Sequence, residues 1–147
     1  MEELRFNKTQ RALIYVIDKL KESLEGRKKL MKLMFLIEHY DINRSILTKV
    51  PMLNNDFIIY HYGVFSFDVM NDYISLYNRK IIKEYPIKSE IDVSIDNNLR
   101  TKIDLIISKF GQKHGFQLEE ETLEMMGLTK ETKIDFFGKS VKELIKN

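Results

Sequence analysis

Phe57-Ile58-Ile59-Tyr60-His61-Tyr62-Gly63-Val64-Phe65-Ser66 is the stretch that decides the fold of this chain. Its first half, 57–62, is β-branched and aromatic, the composition of a strand. Gly63 supplies backbone freedom that a side chain would forbid, and Ser66 is a residue type that caps helices. The stretch predicts a sharp strand-to-helix corner, with Asp68 placed in the first helical turn where a carboxylate suits the helix dipole. The helix that follows presents Phe67, Met70, Ile74 and Tyr77 at i, i+3, i+7 and i+10. Its outward positions are then Asp68, Asn71, Asp72, Ser75 and Asn78. Corners of this kind occur in winged-helix domains and in some binding modules.

Upstream of the corner, Asn7 can cap a helix carrying Leu13, Ile17, Leu20 and Leu24 on one stripe, which Gly26 breaks. A second helix, Arg27 to Tyr40, has Leu30, Leu33, Met34 and Ile37 on one face. Phe35 and Leu36 widen its apolar surface, so it is expected to be the most buried helix. Residues 41–55 are mixed, with a break at Pro51 and a short helix expected through Ile46 and Leu47. Downstream, Ile81 to Tyr85 and the alternating Ile91 to Ile95 predict two strands around a turn at 87–90, a hairpin or wing. Asp96 can cap a helix with Leu99, Ile103, Ile106 and Phe110 on one face, and Gly111 suits its end. A fifth helix is expected from Leu118 to Met126, ended by Gly127, and Ser140 opens a short terminal one through Val141, Leu144 and Ile145. The expected fold is mainly α with a small β component, an α+β arrangement. It comprises a winged-helix-like core over 1–115 and a C-terminal helical extension over 116–147 packed on it.

Composition narrows the functional classes. The 147 residues form one domain and are 44% hydrophobic, enough for a real core. The net charge of +2 balances 24 basic against 22 acidic residues, too even for general nucleic-acid affinity. Residues 1–65 hold 11 basic and 8 acidic side chains and residues 66–147 hold 13 and 14, a small asymmetry. The absence of cysteine excludes a disulfide scaffold, a thiolate zinc site and a cysteine nucleophile. An acidic start, Met1-Glu2-Glu3, argues against a signal peptide. The longest strongly apolar run, Leu33 to Ile37, is far short of a membrane span. A cytoplasmic protein is expected.

No stretch carries a catalytic or cofactor signature. Gly138-Lys139-Ser140 resembles the end of a phosphate loop, but that motif needs a glycine at position 133, which is Lys133. A loop and helix cap is the expected role. His39, His61 and His114 are far apart, and none has a second ligand at metal spacing. Glu119-Glu120-Glu121 with Glu124 reads as a solvated helix start that complements the dipole. Arg27-Lys28-Lys29 with Lys32 is the best basic patch, balanced between phosphate contact and a solvated helix face. The helix after Ser66 would be the recognition helix of a DNA-binding protein, yet Asp68 and Asp72 near its start would repel phosphate oxygens. That points toward a protein partner.

Gly26-Arg27-Lys28-Lys29-Leu30-Met31-Lys32-Leu33-Met34-Phe35-Leu36 resembles the GR-x-K-L-x-K-L-x-[FY]-L helix of the Panacea (SocA-like antitoxin) domain and related YwgA-type proteins. Tyr62-Gly63-Val64-Phe65-Ser66 is similar to their tyrosine-glycine-proline corner and following aromatic-serine pair. The resemblance spans about residues 10–85. Val64 stands where those relatives carry proline, and Asn78-Arg79-Lys80 lacks their glycine. The resemblance implies a binding module that neutralises or escorts a partner by direct contact, without enzyme activity or cofactor. Carried over as structural residues are Leu30, Leu33 and Phe35 in the helix, and Tyr62, Gly63 and Ser66 at the corner. Tyr62 is expected to bury its ring and offer its hydroxyl.

The candidate partner-binding anchors are Tyr60, Tyr62, Phe65 and Tyr73, since aromatic residues dominate interface energetics. The alternative is a winged-helix transcription regulator contacting DNA through Arg27, Lys28, Lys29, Lys32, Arg79, Lys80, Lys83 and Lys88. A protein partner is expected before DNA, with a homodimer left open. No catalytic residue, metal ligand or cofactor is expected.

Overall fold

A computed structural model describes residues 5–147. Five α-helices and three two-stranded antiparallel sheets make a mainly α, α+β fold. In chain order they are α1 (Lys8–Leu20), α2 (Arg27–His39), β1 (Tyr40–Asp41), β2 (Ile46–Leu47), β3 (Ile58–Tyr60), β4 (Gly63–Phe65), α3 (Phe67–Asn78), β5 (Ile82–Lys83), β6 (Lys88–Ser89), α4 (Asn97–Phe110) and α5 (Gly115–Glu124). Short 3-10 turns follow at Lys21–Leu24, Thr132–Phe136 and Val141–Glu143. No helix among the described residues is long and apolar enough to cross a membrane.

The helix starts follow local chemistry. Asn7 Oδ1 accepts the Gln10 N–H at 2.8 Å while Gln10 Oε1 accepts the Asn7 N–H at 3.1 Å, a reciprocal capping box. Ser66 and Asp96 cap α3 and α4 through the N–H groups of Val69 and Leu99, at 3.2 and 2.9 Å. Gly111 ends α4 with ordinary right-handed angles, and a Cβ there would sit 2.5 Å from the Ile107 carbonyl oxygen. Its glycine is required by a close approach, not by a positive φ.

α2 lies at the centre and packs against α1, α3, α4, α5 and β4. From Lys29 to His39 every residue is buried, because the helix has neighbours on all sides. Even Glu38 is enclosed. Its carboxylate accepts the N–H groups of Leu53 and Asn54 at 2.5 and 2.7 Å, which fixes the loop leading to β3. Leu118, Leu123, Val141 and Ile145 belong to the same buried cluster as the residues of α1 and α2.

Four local expectations give way. Ile46 and Leu47 form β2, paired with Tyr40–Asp41 as a small hairpin in place of a helix. Gly63 sits inside a second strand, so the corner is a tight hairpin, β3 to β4, followed by the helix. The third hairpin, β5 to β6, pairs Ile82 with Ser89 and Lys83 with Lys88, while 91–95 forms no ladder. The alternation there reflects an extended segment that buries Ile95 and half-buries Ile91 and Val93. Finally, α3 turns Val69, Tyr73 and Leu76 inward. Phe67, Ile74 and Tyr77, of the stripe expected to be apolar and internal, are exposed. Both faces of α3 are apolar, and the packing of α1 and α2 selects between them.

Candidate functional site

The β3–β4 hairpin is held along one edge and from beneath. On its outer edge the C-terminal segment pairs like an extra strand. Gly138 N–H donates to the Ile59 carbonyl at 2.8 Å, Ile59 N–H to the Lys139 carbonyl at 3.0 Å, and Val141 N–H to the Phe57 carbonyl at 3.0 Å. This covers an edge that would otherwise be an open template for pairing. Ser140 continues into the last 3-10 turn as its cap, the role expected of Gly138-Lys139-Ser140.

Beneath the hairpin lies a charged cluster drawn from α2, α5 and the Thr132–Phe136 turn. Lys32 is enclosed, and its Nζ donates to the Val64 carbonyl at 2.8 Å. Glu119 is also buried. Its Oε1 lies 2.6 Å from Lys28 Nζ and its Oε2 3.0 Å from Lys133 Nζ. Lys133 in turn donates to the His61 carbonyl at 2.6 Å, across the turn of the hairpin. Burial alone would raise the Glu119 carboxyl, but the Lys28 and Lys133 ammonium groups outweigh it and hold it below the ordinary range. Burial pushes Lys32 down to about 7, with Glu119 opposing and Lys28 and Lys133 assisting. Gly63 completes the fit with φ 87°, and a Cβ there would lie 3.3 Å from Glu119 Cγ. The expectation that the Glu119 cluster is solvated is corrected for Glu119 itself. Glu120 remains exposed, and Glu121 pairs with Lys113 at 2.9 Å.

The outer face of the hairpin is aromatic. Tyr60 is surrounded by His61 at 4.4 Å between ring centroids, Phe65 at 5.4 Å, Phe67 at 5.5 Å and Phe137 at 5.7 Å. Phe65 meets Phe67 at 4.9 Å, and His61 meets Phe137 edge-on at 4.9 Å. His61, Phe67 and Phe137 are exposed, with Tyr60 and Phe65 half-buried between them. Tyr62 stands apart on the turn, 66% exposed, with Lys28 Nζ 5.0 Å from its ring centroid. Its ring is therefore not buried as expected, because the tight turn points it away from the core.

Of the expected anchors, Tyr60, Tyr62 and Phe65 reach this surface. Tyr73 does not. It is 2% exposed on the inward face of α3, and its hydroxyl donates to Glu84 Oε2 at 2.5 Å. The same carboxylate accepts a two-point contact from Arg27, at 2.5 and 2.9 Å, and the Arg27 guanidinium lies over the Tyr73 ring. That contact holds the Glu84 carboxyl below its usual range, whereas burial and the Glu84 hydrogen bond push the Tyr73 phenol up.

The residues expected on nucleic acid fall into three groups. Lys29 and Lys32 are buried and cannot reach a phosphate. Lys29 Nζ donates to the Ser23 and Gly111 carbonyls at 2.6 and 2.8 Å, where burial lowers its pKa against the pull of Glu25. Arg27 and Lys28 are committed to Glu84 and Glu119, and Arg79 lies over the Phe6 ring and donates to the Arg5 carbonyl. Lys80, Lys83 and Lys88 are exposed on or beside the small β5–β6 hairpin, Lys83 lying 3.6 Å from Glu90.

Phe67, expected on the internal stripe of α3, and Phe137 are surface residues that sequence reasoning did not assign to this face. The Phe136-Phe137 pair was a visible signal, but only the pairing of Gly138–Val141 along β3 brings Phe137 to Tyr60. Among the described residues no three His, Asp or Glu side chains converge as a metal site. Comparison with protein-family models, with curated proteins and with solved structures finds no match to this chain.

Proposed function

We propose that this chain is a non-enzymatic protein-interaction module of Panacea-like type, acting in the cytoplasm as an antitoxin or adaptor that neutralises or escorts a partner protein. The observation that carries the proposal is the ring surface of Tyr60, His61, Phe65 and Phe137, with Tyr62 beside it, held on a hairpin that is fixed from beneath. Rigid aromatic side chains lose little conformational freedom on docking and supply large contact areas, which suits them as interface anchors. A buried polar cluster under an exposed aromatic surface is a costly arrangement for stability alone. It does place the hairpin with little freedom to move, and preorganisation of that kind favours binding.

The two halves of the family-like pattern also touch. Lys32 of the helix motif donates to the carbonyl of Val64 in the corner motif, and Lys28 lies over Tyr62. The lysines of the motif thus have structural work that explains their spacing without nucleic acid. The test is affinity capture with the wild-type chain and with Tyr62→Ala and Phe65→Ala variants that retain the wild-type circular dichroism. A partner held by the wild type and lost from the variants supports the proposal. Variants that keep every partner of the wild type would remove this surface as the site.

A further inference from the structure

α4 carries two stripes with different work. Leu99, Ile103, Ile106 and Phe110 serve the core. Asn98, Thr101, Lys102 and Leu105, at i, i+3, i+4 and i+7, instead line a groove of about 520 Å³ whose other wall comes from the segment 41–52. That volume is of the size that holds small molecules. Its apolar side is made by Val50, Met52 and Leu105, which are 73%, 37% and 45% exposed. The segment 41–52 is pinned where it stands. Met52 N–H donates to the Glu38 carbonyl at 3.1 Å and Val50 N–H to Thr48 Oγ1 at 3.4 Å, while Asp41 Oδ1 accepts the N–H groups of Asn43 and Arg44 at 3.0 and 3.2 Å. The groove is therefore preformed.

Lys102 is half-buried in it, and its ammonium has no hydrogen-bond acceptor and no ion pair among the described residues. The two carboxylates near it are already engaged. Glu38 accepts the N–H groups of Leu53, Asn54 and Asn55, and Asp41 those of Asn43 and Arg44. They act on Lys102 through their field alone, opposing the burial that lowers its pKa. An enclosed donor without an acceptor costs the fold stability, and an acceptor brought by a ligand removes that cost. The field of Asp41 and Glu38 disfavours a dianion and leaves a monoanion as the fitting head group. Asn98 and Thr101, on the same stripe, offer further donors.

We propose that this groove binds a small amphipathic monocarboxylate, with its head group on Lys102 and its aliphatic chain against Val50, Met52 and Leu105. The groove shares no residue with the aromatic surface of the hairpin, so this binding and the capture of a protein partner are separable.

Sodium octanoate is the probe, titrated into the full chain by calorimetry and followed by amide NMR. Saturable binding is expected, with shifts concentrated in 41–52 and 98–105. Octanol, which has the same chain without the charge, should bind about tenfold more weakly or worse, the worth of a hydrogen bond to a charged group. Acetate should lose about a hundredfold or more with its missing methylenes. Lys102→Met keeps the stem, removes an ammonium without an acceptor, and should lose octanoate about tenfold while melting no lower than the wild type. Leu105→Asp, at an exposed position, should abolish binding with the fold intact. No saturable octanoate binding at millimolar concentration would overturn the proposal. So would octanol binding as tightly as octanoate, Lys102→Met binding as the wild type does, or shifts that map away from the groove. A capped peptide with a free C-terminal carboxylate that binds there more tightly than octanoate would overturn the assignment to a small acid and give the groove to chain ends.

Discussion

Lys32 lends itself to a quantitative test of the cluster beneath the hairpin. Burial lowers its pKa from the ordinary 10.5 to about 7. A group depressed in this way binds its proton more weakly in the folded chain than in the unfolded one. Between pH 7 and 10.5 the unfolded chain therefore holds up to one proton more, and stability rises with pH by up to about 1.4 kcal/mol per unit. Near pH 7 the folded ammonium is itself half protonated, which halves the slope there. Integrated from pH 7 to 9, the gain is about 2 kcal/mol. The Lys32→Met variant keeps the length of the side chain and removes the titration, at the cost of the hydrogen bond to the Val64 carbonyl, a pH-independent loss of about 1–2 kcal/mol. Urea denaturation of both proteins at pH 7, 8 and 9 separates the two effects. Wild-type stability should climb relative to the variant by about 2 kcal/mol over that range. Parallel curves would refute the argument, since they would mean that Lys32 titrates as it does in the unfolded chain.

Two further outcomes follow from the same geometry. Gly63→Ala forces a side chain into a φ of 87° and against Glu119 Cγ, and should cost about 1–3 kcal/mol, read as a lower melting temperature in calorimetry. Glu84→Gln removes the carboxylate shared by Arg27 and Tyr73 and should cost about 1–3 kcal/mol in chemical denaturation followed by circular dichroism; a neutral result would show that this contact is dispensable to the fold.

What was legible in the sequence was what short-range chemistry decides. The caps at Asn7, Ser66 and Asp96 form because their side chains reach N–H groups three residues away, whatever surrounds them. The central position of α2 followed from the continuous apolar run through Phe35 and Leu36. The inward face of α3 was not legible. Val69, Tyr73 and Leu76 are no less apolar than Phe67, Met70, Ile74 and Tyr77, so only the positions of α1 and α2 choose between the faces. The burial of Lys29, Lys32 and Glu119 was hidden for a related reason. A charge reads as surface until its partner is known, and these partners are the carbonyls of Ser23, Gly111 and Val64 and the ammonium groups of Lys28 and Lys133. Of the proposed surface, Tyr60, Tyr62 and Phe65 were legible as aromatic residues around the corner, whereas Phe137 arrives through pairing between segments about eighty residues apart, which no local pattern records.

Capture from native lysate before and after nuclease treatment, with bound protein and nucleic acid both identified, tests the central claim most directly. The account predicts a single stoichiometric protein that survives nuclease and is lost with the Tyr62→Ala and Phe65→Ala variants. Loss of all bound material on nuclease treatment would contradict it and assign the exposed Lys80, Lys83 and Lys88 to nucleic acid instead.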